Sequence, residues 1–454
     1  MANKLFGTDG VRGVAGFYPM TADFAFNLAE ILSQTVCTDK TKIAIGKDTR
    51  ISGDMIEAAL SAGFTANGID VILLGIVPTP LVTLKTPELG VDMSLMITAS
   101  HNPYQDNGIK LINQSGDKFS DDFYVKIEKL LEQNHLTEKT PPASKQTRFG
   151  KIFKKDEIIE DYIENMRKIA PNYKALQGLR VVIDCANGAY SYILPQTFKD
   201  LGAGIISINN QPDGYNINQN CGSQHTEQLA QTVKEAHAHF GIAVDGDGDR
   251  VILVDNTGTV IDGDQLLCFL AQYLKKHGQL NNNTVISTEW SNLGLGEYLR
   301  KNGFIYFQSK VGERYVIDLM KEKFSSLGGE PVGHIVLSQY AKSGDALAVA
   351  IILALAYLET NKPMNEIFPI FSPYPCLIEN IRFSTKEFMQ QSLEHDDVQT
   401  ALNDAKKTLG ENSNLIARKS GTEPVIKLRI EGKDKQTVAR LAKHLKQLIL
   451  QYQK

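Results

Sequence analysis

The sequence predicts an α/β protein of three similar units, each a mixed or parallel sheet covered by helices, followed by a smaller C-terminal α+β unit. Three observations carry this prediction. Short apolar runs bounded by turn residues alternate with segments of helical spacing, as crossover connections between parallel strands require. At 454 residues the chain exceeds what one core organises. Only the last stretch changes character: Ile378-Glu379-Asn380-Ile381-Arg382-Phe383 and Val425-Ile426-Lys427-Leu428-Arg429-Ile430 alternate like half-exposed strands. The expected domains are 1–149, 150–255, 256–368 and 369–454.

In the first unit, Phe24, Leu28, Ile31 and Leu32 give 22–36 a helical period, and 42–46 reads as a strand. A helix over 55–66 and a strand over 70–75 follow. Met93-Ser94-Leu95-Met96-Ile97 is a short apolar run suited to a buried strand, and 121–133 is the last helix. The polar segment 136–146, with Pro141-Pro142, suits a surface connection. The second unit has strands at 179–184, 205–208, 241–244 and 251–254 and a helix over 227–236. The third has helices at 264–275, 295–301 and 346–358, strands at 284–287 and 304–306, and a proline-bearing linker over 368–375. Helices near 398–408 and 436–451 complete the fourth.

Charged residues at 22% and hydrophobic residues at 42% are ordinary for a folded protein. A net charge of −4 gives no basis for nonspecific binding to nucleic acid or anionic membrane, so an anionic substrate needs a local basic site. No apolar run approaches the roughly 18 residues of a membrane span. Met1-Ala2-Asn3-Lys4-Leu5-Phe6 lacks the apolar region of a signal peptide, so a cytoplasmic protein is expected. Cys37, Cys185, Cys221, Cys268 and Cys376 are widely spaced without a C-x-x-C pair and read as reduced structural thiols.

Four stretches carry chemistry. Thr98-Ala99-Ser100-His101-Asn102-Pro103, continued by Tyr104-Gln105-Asp106-Asn107-Gly108-Ile109-Lys110, follows the strand at 93–97. Pro103 ends the strand, and Asn102, Asn107 and Gly108 are turn formers, so a serine and a histidine sit where open α/β sheets place ligands. No G-x-S-x-G elbow surrounds Ser100, so its hydroxyl reads as the carrier of a group; alone, a polar loop capping a strand fits as well. Phe6-Gly7-Thr8-Asp9-Gly10-Val11-Arg12-Gly13 means a tightly folded backbone, with Arg12 a fixed cation for a phosphate. Asp245-Gly246-Asp247-Gly248-Asp249-Arg250 aims three carboxylates at one point. Their repulsion calls for a hard divalent cation, and all-oxygen ligation favours Mg²⁺. An EF-hand is excluded, because Arg250 stands where glycine is needed and Asn256 where glutamate is needed. Mg²⁺ suits phosphoryl transfer, and the lack of a P-loop leaves a nucleotide donor unindicated. Near the end, Arg418-Lys419-Ser420-Gly421-Thr422-Glu423-Pro424 offers a nest for a non-reacting phosphate.

With Gly328-Gly329-Glu330-Pro331-Val332-Gly333-His334, these segments resemble the α-D-phosphohexomutase superfamily, in order and over the whole chain. The Thr8-Asp9-Gly10 opening is closer to its glucosamine branch than to its glucose/mannose branch. The resemblance implies three topologically similar domains and a C-terminal domain around a central cleft. It implies an isomerase that interconverts glucosamine 6-phosphate and glucosamine 1-phosphate through a phosphoserine and a sugar bisphosphate, supplying peptidoglycan precursors. Ser100 would be the phosphoserine, its phosphate holding Mg²⁺ with Asp245, Asp247 and Asp249. Arg12, His101, Lys110 and Arg250 would be charge and proton partners, Lys110 acting as acid/base once neighbouring cations lower its pKa. Glu330, Gly333 and His334 would contact the sugar, and Arg418, Ser420, Gly421 and Thr422 the distal phosphate. The implied partners are a hexosamine phosphate substrate and a sugar bisphosphate activator, with no nucleic acid or membrane; a homodimer is admitted.

One departure stands out. The family's sugar loop usually reads Gly-Glu-x-Ser-Gly-His, whereas Pro331 and Val332 stand between Glu330 and Gly333. Val332 cannot hydrogen-bond a ring hydroxyl, so weakened sugar affinity or selectivity is expected while the phosphoryl chemistry survives. Lys419, where the family commonly has proline, adds a cation. The competing readings are a phosphoglucomutase/phosphomannomutase, a catalytically silent sugar-phosphate binding protein, and a hydrolase that loses the phosphoryl group to water.

Overall fold

The structure, a computed structural model, describes residues 5–7, 9–36, 42–134, 149–411, 413–419 and 424–452. The chain divides into two compact units, 1–289 with 305–370, and 290–304 with 371–454.

The first unit holds three sheets on one plan. In each, three parallel strands lie in the spatial order third, first, second, and a fourth pairs antiparallel with the third. In the first sheet these are Lys42–Lys47, Asp70–Ile76, Met93–Ile97 and Asp106–Asn113. In the second they are Arg180–Asp184, Gly204–Ile208, Phe240–Val244 and Val251–Asp255. In the third they are Thr284–Thr288, Ile305–Ser309, Leu327–Gly329 and Ile335–Leu337. Val11–Val14, Ile152–Lys154 and Val260–Ile261 extend the edges. The three similar mixed-sheet units expected from the sequence are therefore present.

The strands read as continuous apolar runs because both faces are covered: every residue of Met93–Ile97 and of Phe240–Val244 is buried. Helices Ala22–Thr35 and Ser52–Ala66 cover the first sheet. Phe24, Leu28 and Leu32 of one and Ile56, Leu60 and Phe64 of the other share a core with Ile43, Ile45, Val71 and Leu95. The first of these helices begins at Thr21, whose hydroxyl accepts from the Phe24 N–H. Helix Ala346–Thr360 lacks a polar face because nearly all of it is buried, and the Asp345 carboxylate caps its start.

In the second unit the central strand Val425–Glu431 pairs antiparallel with Cys376–Arg382 and with Asn414–Lys419. Helices Lys386–Glu394, Asp396–Leu409 and Lys435–Gln451 accompany it, over a core that includes Ile381, Leu428, Val438 and Leu445. Residues 290–304, with helix Leu293–Lys301, pack in the same unit.

Several elements were hidden from the sequence reading for physical reasons. Helix Thr79–Leu89 carries a proline in its first turn and Pro87 inside, and it is buried around most of its girth, so no single face is apolar. Asn107 and Gly108, read as turn formers, lie within the strand Asp106–Asn113. A Cβ on Gly108 would come 2.6 Å from the Thr98 carbonyl and 2.7 Å from that of Val11; the glycine serves close strand approach. Residues 11–13, read as part of a tightly folded stretch, belong to the strand Val11–Val14 paired with it. The connection 136–146, Cys37, Thr8, Ser420, Gly421 and Thr422 lie outside the described residues. Cys185, Cys221, Cys268 and Cys376 are free thiols. No helix among the described residues is long and apolar enough to cross a membrane.

Gly63 marks where helices Ala22–Thr35 and Ser52–Ala66 touch: a Cβ there would lie 2.7 Å from both the Ala29 Cβ and the Phe26 carbonyl oxygen. Alanine gains about 1 kcal/mol of helix propensity over glycine, while overpacking costs about 1–3 kcal/mol. Backbone is the obstacle, so the overpacking cost wins. Gly63→Ala lowers the thermal unfolding midpoint; an unchanged or raised midpoint would show that the two helices part without cost.

Candidate active site

The three sequence stretches around Ser100, Asp245–Arg250 and Glu330–His334 occupy one topological position. Each is the turn from the third parallel strand of its sheet into the antiparallel fourth. The structure brings all three together within the first unit.

Ser100 is buried and takes φ +54°, a left-handed backbone that costs about 1 kcal/mol or more for a non-glycine residue. Arg50 holds it there. Its guanidinium, wholly buried, donates to the carbonyls of Ser100 at 3.0 Å, Asn102 at 2.7 Å, Asp106 at 3.0 Å and also Pro103. Its Nε is fixed on Asp48 Oδ2 at 2.9 Å. All five guanidinium N–H donors are thereby used. Asn218 Nδ2 adds a bond to the Ser100 carbonyl at 2.8 Å, and the Ser100 N–H donates to Thr98 Oγ1 at 2.9 Å. Arg50, just beyond the end of strand Lys42–Lys47, is thus a clamp on the serine loop.

From this loop the Ser100 hydroxyl donates to Asp245 Oδ2 at 2.6 Å. The carboxylates of Asp245, Asp247 and Asp249 are all buried, with one oxygen from each within 4.8 Å of the others. Thr79 Oγ1 and Lys110 Nζ donate to Asp247 Oδ2 at 2.6 and 2.7 Å, and Lys110 also reaches Asp249 at 2.9 Å. Asp247 Oδ1 is buried and has no hydrogen-bond partner among the described residues. Three converging carboxylates and one unpartnered oxygen fit a hard metal ion. Burial, then the charges of Asp249 and Asp247, push the Asp245 carboxyl well up. Asp249 goes the other way: burial opposes its charge, but His334 and Lys110 hold it well below the usual carboxylate range.

Lys110 departs from the expectation that neighbouring cations would lower its pKa. Burial acts in that direction, but Asp247, Asp249 and Asp9, the last at 3.1 Å, raise it well above the ordinary lysine value. Arg12 opposes them more weakly. In this arrangement Lys110 is an ammonium donor. His101 is its complement: burial first, then Arg250 and Arg12, lower it to about 3, so its imidazole is neutral. Its Nδ1 lies 3.4 Å from Ser100 Oγ.

His334 ties the turn 330–334 to the carboxylates. Its Nδ1 faces Glu330 Oε2 at 3.0 Å and its Nε2 faces Asp249 Oδ1 at 2.7 Å. Only an imidazolium donates on both sides. Burial opposes that charge, but Asp249 and the two hydrogen bonds prevail and raise His334 to about 10. Arg250 Nε lies 3.3 Å from the same Nε2 and 3.9–4.0 Å from Asp245 and Asp249. The Nε2–H donates to the nearer carboxylate, Asp249, so Nε2 has no lone pair for Arg250, which stands beside it as a second cation. Glu330 also accepts from the Gly312 N–H at 3.0 Å. Gly333 has φ +93°, and a Cβ there would meet the Val251 carbonyl at 2.3 Å. Val332 is 48% exposed on this turn.

Arg12 pairs with Asp9 at 2.8 Å. Sequence reasoning quoted Asp9 without giving it a role, and it missed Thr79, Asn218 and Lys118, whose ammonium also donates to Glu313 at 2.5 Å. Asp9 binds Arg12, Lys110 and Lys118 at once; burial opposes its charge, yet Lys110 and Lys118 hold its carboxyl far below the usual range. The legible signal was an aspartate between two glycines in the same stretch as a candidate phosphate-binding arginine. Arg418 lies in the second unit, near the end of strand Asn414–Lys419 and directly opposite Lys427 on Val425–Glu431.

Comparison with known proteins finds matches along most of the chain. Models of the phosphoglucomutase/phosphomannomutase family match alpha/beta/alpha domain I at residues 3–138, domain II at 160–258, domain III at 262–374 and the C-terminal domain at 379–448. The chain belongs to the phosphoglucomutase/phosphomannomutase family. Within that family, a phosphoglucosamine mutase of Rhizobium rhizogenes is 43% identical over 97% of both chains. One of Bartonella bacilliformis is 41% identical over 100% of this chain and 99% of its own. Among solved structures, a phosphoglucomutase/phosphomannomutase family protein from Burkholderia thailandensis superposes with TM-score 0.79 at 22% identity, covering 100% and 98% of the chains. An N-acetylphosphoglucosamine mutase from Aspergillus fumigatus, in complex with GlcNAc-6P and magnesium, gives 0.67 at 15% identity, covering 99% and 96%. These two likenesses show the family's fold.

The Arg50 clamp makes a firm prediction. Arg50→Lys retains charge but cannot span Asp48 and four carbonyls. Leaving buried acceptors unmet should cost about 2–4 kcal/mol. Chemical denaturation of the variant against wild type reads this, and a change below about 0.5 kcal/mol would remove Arg50 from the account of the serine loop.

Proposed function

We propose that the chain acts as a phosphoglucosamine mutase, interconverting glucosamine 6-phosphate and glucosamine 1-phosphate, with Ser100 as the phosphoryl carrier. The observation that carries this is the Ser100 hydroxyl, held on a strained loop 2.6 Å from Asp245 beside two further buried carboxylates.

In the phosphorylated enzyme the P–O bond to Ser100 Oγ breaks as the free sugar hydroxyl forms its own bond to phosphorus and gives up a proton. The product is glucosamine 1,6-bisphosphate. After reorientation the other phosphoryl group returns to Ser100 Oγ, and the oxygen it leaves takes a proton. A neutral imidazole at His101 and a protonated amine at Lys110 give the site an acceptor and a donor for those protons. Arg12 and Arg250 add fixed positive charge where phosphoryl oxygens would lie. A phosphorylated Ser100 no longer donates to Asp245 and sets a dianion against a carboxylate, which requires a cation. The phosphate with Asp245, Asp247 and Asp249 would hold Mg²⁺. When bound, Mg²⁺ supplies positive charge to the transferring oxygens. Glu330, Gly333 and His334 would face the sugar, and Arg418, Ser420, Gly421 and Thr422 the non-reacting phosphate. A sugar bisphosphate activator, a cytoplasmic location and a homodimer belong to the same proposal.

Val332 favours a second reading on the sugar alone, glucose or mannose phosphate, since the turn between Glu330 and Gly333 exposes methyl groups where a hydroxyl would select among ring substituents.

Rates with glucosamine, glucose and mannose phosphates, measured with Mg²⁺ and a sugar bisphosphate, should favour the amino sugar. Preference for glucose or mannose would move the chain to the second reading, and no turnover would leave a silent binding protein. Chelation by EDTA should abolish turnover and Mg²⁺ restore it; activity indifferent to chelation would refute the metal assignment. Val332→Ser should lower KM for the preferred sugar about two- to tenfold, the worth of one hydrogen bond. Unchanged kinetics on every hexose phosphate would show that Val332 does not face the sugar.

A further inference from the structure

We infer that Trp290 is a positioning residue that fixes Arg418 and Lys427 as one cationic surface for the phosphate of the sugar phosphate, an assignment that rests on the mutase reading. Arg418 and Lys427 are direct cross-strand partners on Asn414–Lys419 and Val425–Glu431. Like charges so placed repel and weaken a sheet. One ring lies against both. The Arg418 guanidinium carbon is 4.8 Å, and the Lys427 Nζ 5.7 Å, from the centroid of the Trp290 indole. Tryptophan has the most attractive face for cations, so the ring holds two groups side by side that would otherwise splay apart.

The backbone that carries the ring is pinned within the same unit. The Ser291 carbonyl accepts from Arg429 at 3.3 Å, and the Leu293 N–H donates to Glu431 at 2.7 Å. Arg429 and Glu431, both buried, pair with each other at 2.8 Å. The Asn292 amide donates to the Tyr374 carbonyl at 3.0 Å and accepts from its N–H at 2.9 Å, while capping helix Leu293–Lys301 through the Gly294 N–H. The result is an aromatic platform with a forked donor and a point charge on it. A forked donor beside a point charge matches a phosphate. Two opposed cations do nothing for the sheet itself; their placement makes sense with an anion to bind.

Trp290 is the chain's single tryptophan, so its emission reports this place alone. Titration of the full-length wild-type protein with inorganic phosphate and with glucosamine 6-phosphate should change that emission saturably, and Arg418→Gln should abolish the change. Trp290→Leu should raise KM for glucosamine 6-phosphate about five- to tenfold with kcat within about twofold, and Trp290→Phe should restore most of the loss. Wild-type KM in Trp290→Leu, or emission deaf to both ligands in an active enzyme, overturns the assignment and leaves the mutase reading intact. A wild-type protein that turns over no hexose phosphate, yet responds to inorganic phosphate through Trp290 and Arg418, overturns the mutase reading and supports the platform.

Discussion

Three carboxylates buried against one another set the terms for everything around them. Asp245, Asp247 and Asp249 are essentially out of solvent, with oxygens within 4.8 Å. At an effective dielectric near 20, two such charges at about 4 Å repel by roughly 4 kcal/mol. The neighbourhood answers with positive charge and donors from several parts of the chain: Lys110 on Asp247 and Asp249, His334 and Arg250 beside Asp249, Ser100 on Asp245, and Thr79 on Asp247. The same attraction that relieves the carboxylates fixes the protonation of their partners. Lys110 and His334 are held charged despite burial, and His101 is held neutral by burial first and then by Arg250 and Arg12.

Repetition of one topology explains how distant segments reach this cluster. Each of the three sheets turns from its third parallel strand into an antiparallel fourth, and each turn delivers one part: the serine, the carboxylates, and the Glu330–His334 pair. Direct bonds then lock the parts together. Ser100 meets Asp245 at 2.6 Å, His334 meets Asp249 at 2.7 Å, and Val251 N–H donates to the Gly333 carbonyl at 3.0 Å. A single chemical site assembled from three repeats requires each turn to be held rigidly, and Arg50 shows how much structure one such turn demands.

That arrangement also decides what could be read from the sequence. Short runs such as Met93–Ile97 were legible as strands because burial on both faces leaves them apolar but for Ser94, whose hydroxyl accepts from Thr86 Oγ1 at 2.7 Å. The convergence of Asp245, Asp247 and Asp249 was legible because alternating glycine and aspartate has few other physical uses. Thr79–Leu89 was not, since prolines and all-round burial erase its period. Lys110 illustrates a different limit. Its presence near the site followed from the resemblance, but its charge state depends on Asp9, Asp247 and Asp249, which approach from other loops. Trp290 gave no signal at all, because its partners Arg418 and Lys427 stand far away in the chain.

Constraint is unevenly spread over these turns, and this bears on how sugar preference can change. Glu330 holds both His334 and the Gly312 N–H, and any side chain at 333 would strike the Val251 carbonyl. His334 neutralises Asp249. Each of these residues supports the carboxylate cluster, so a substitution there disturbs the charge balance around Asp249. Val332 lies between them, half exposed. A change at 332 therefore alters what the turn presents without altering the charge balance beneath it. Under the proposed function, this is the position where selectivity for the sugar can drift while the carboxylate cluster stays fixed.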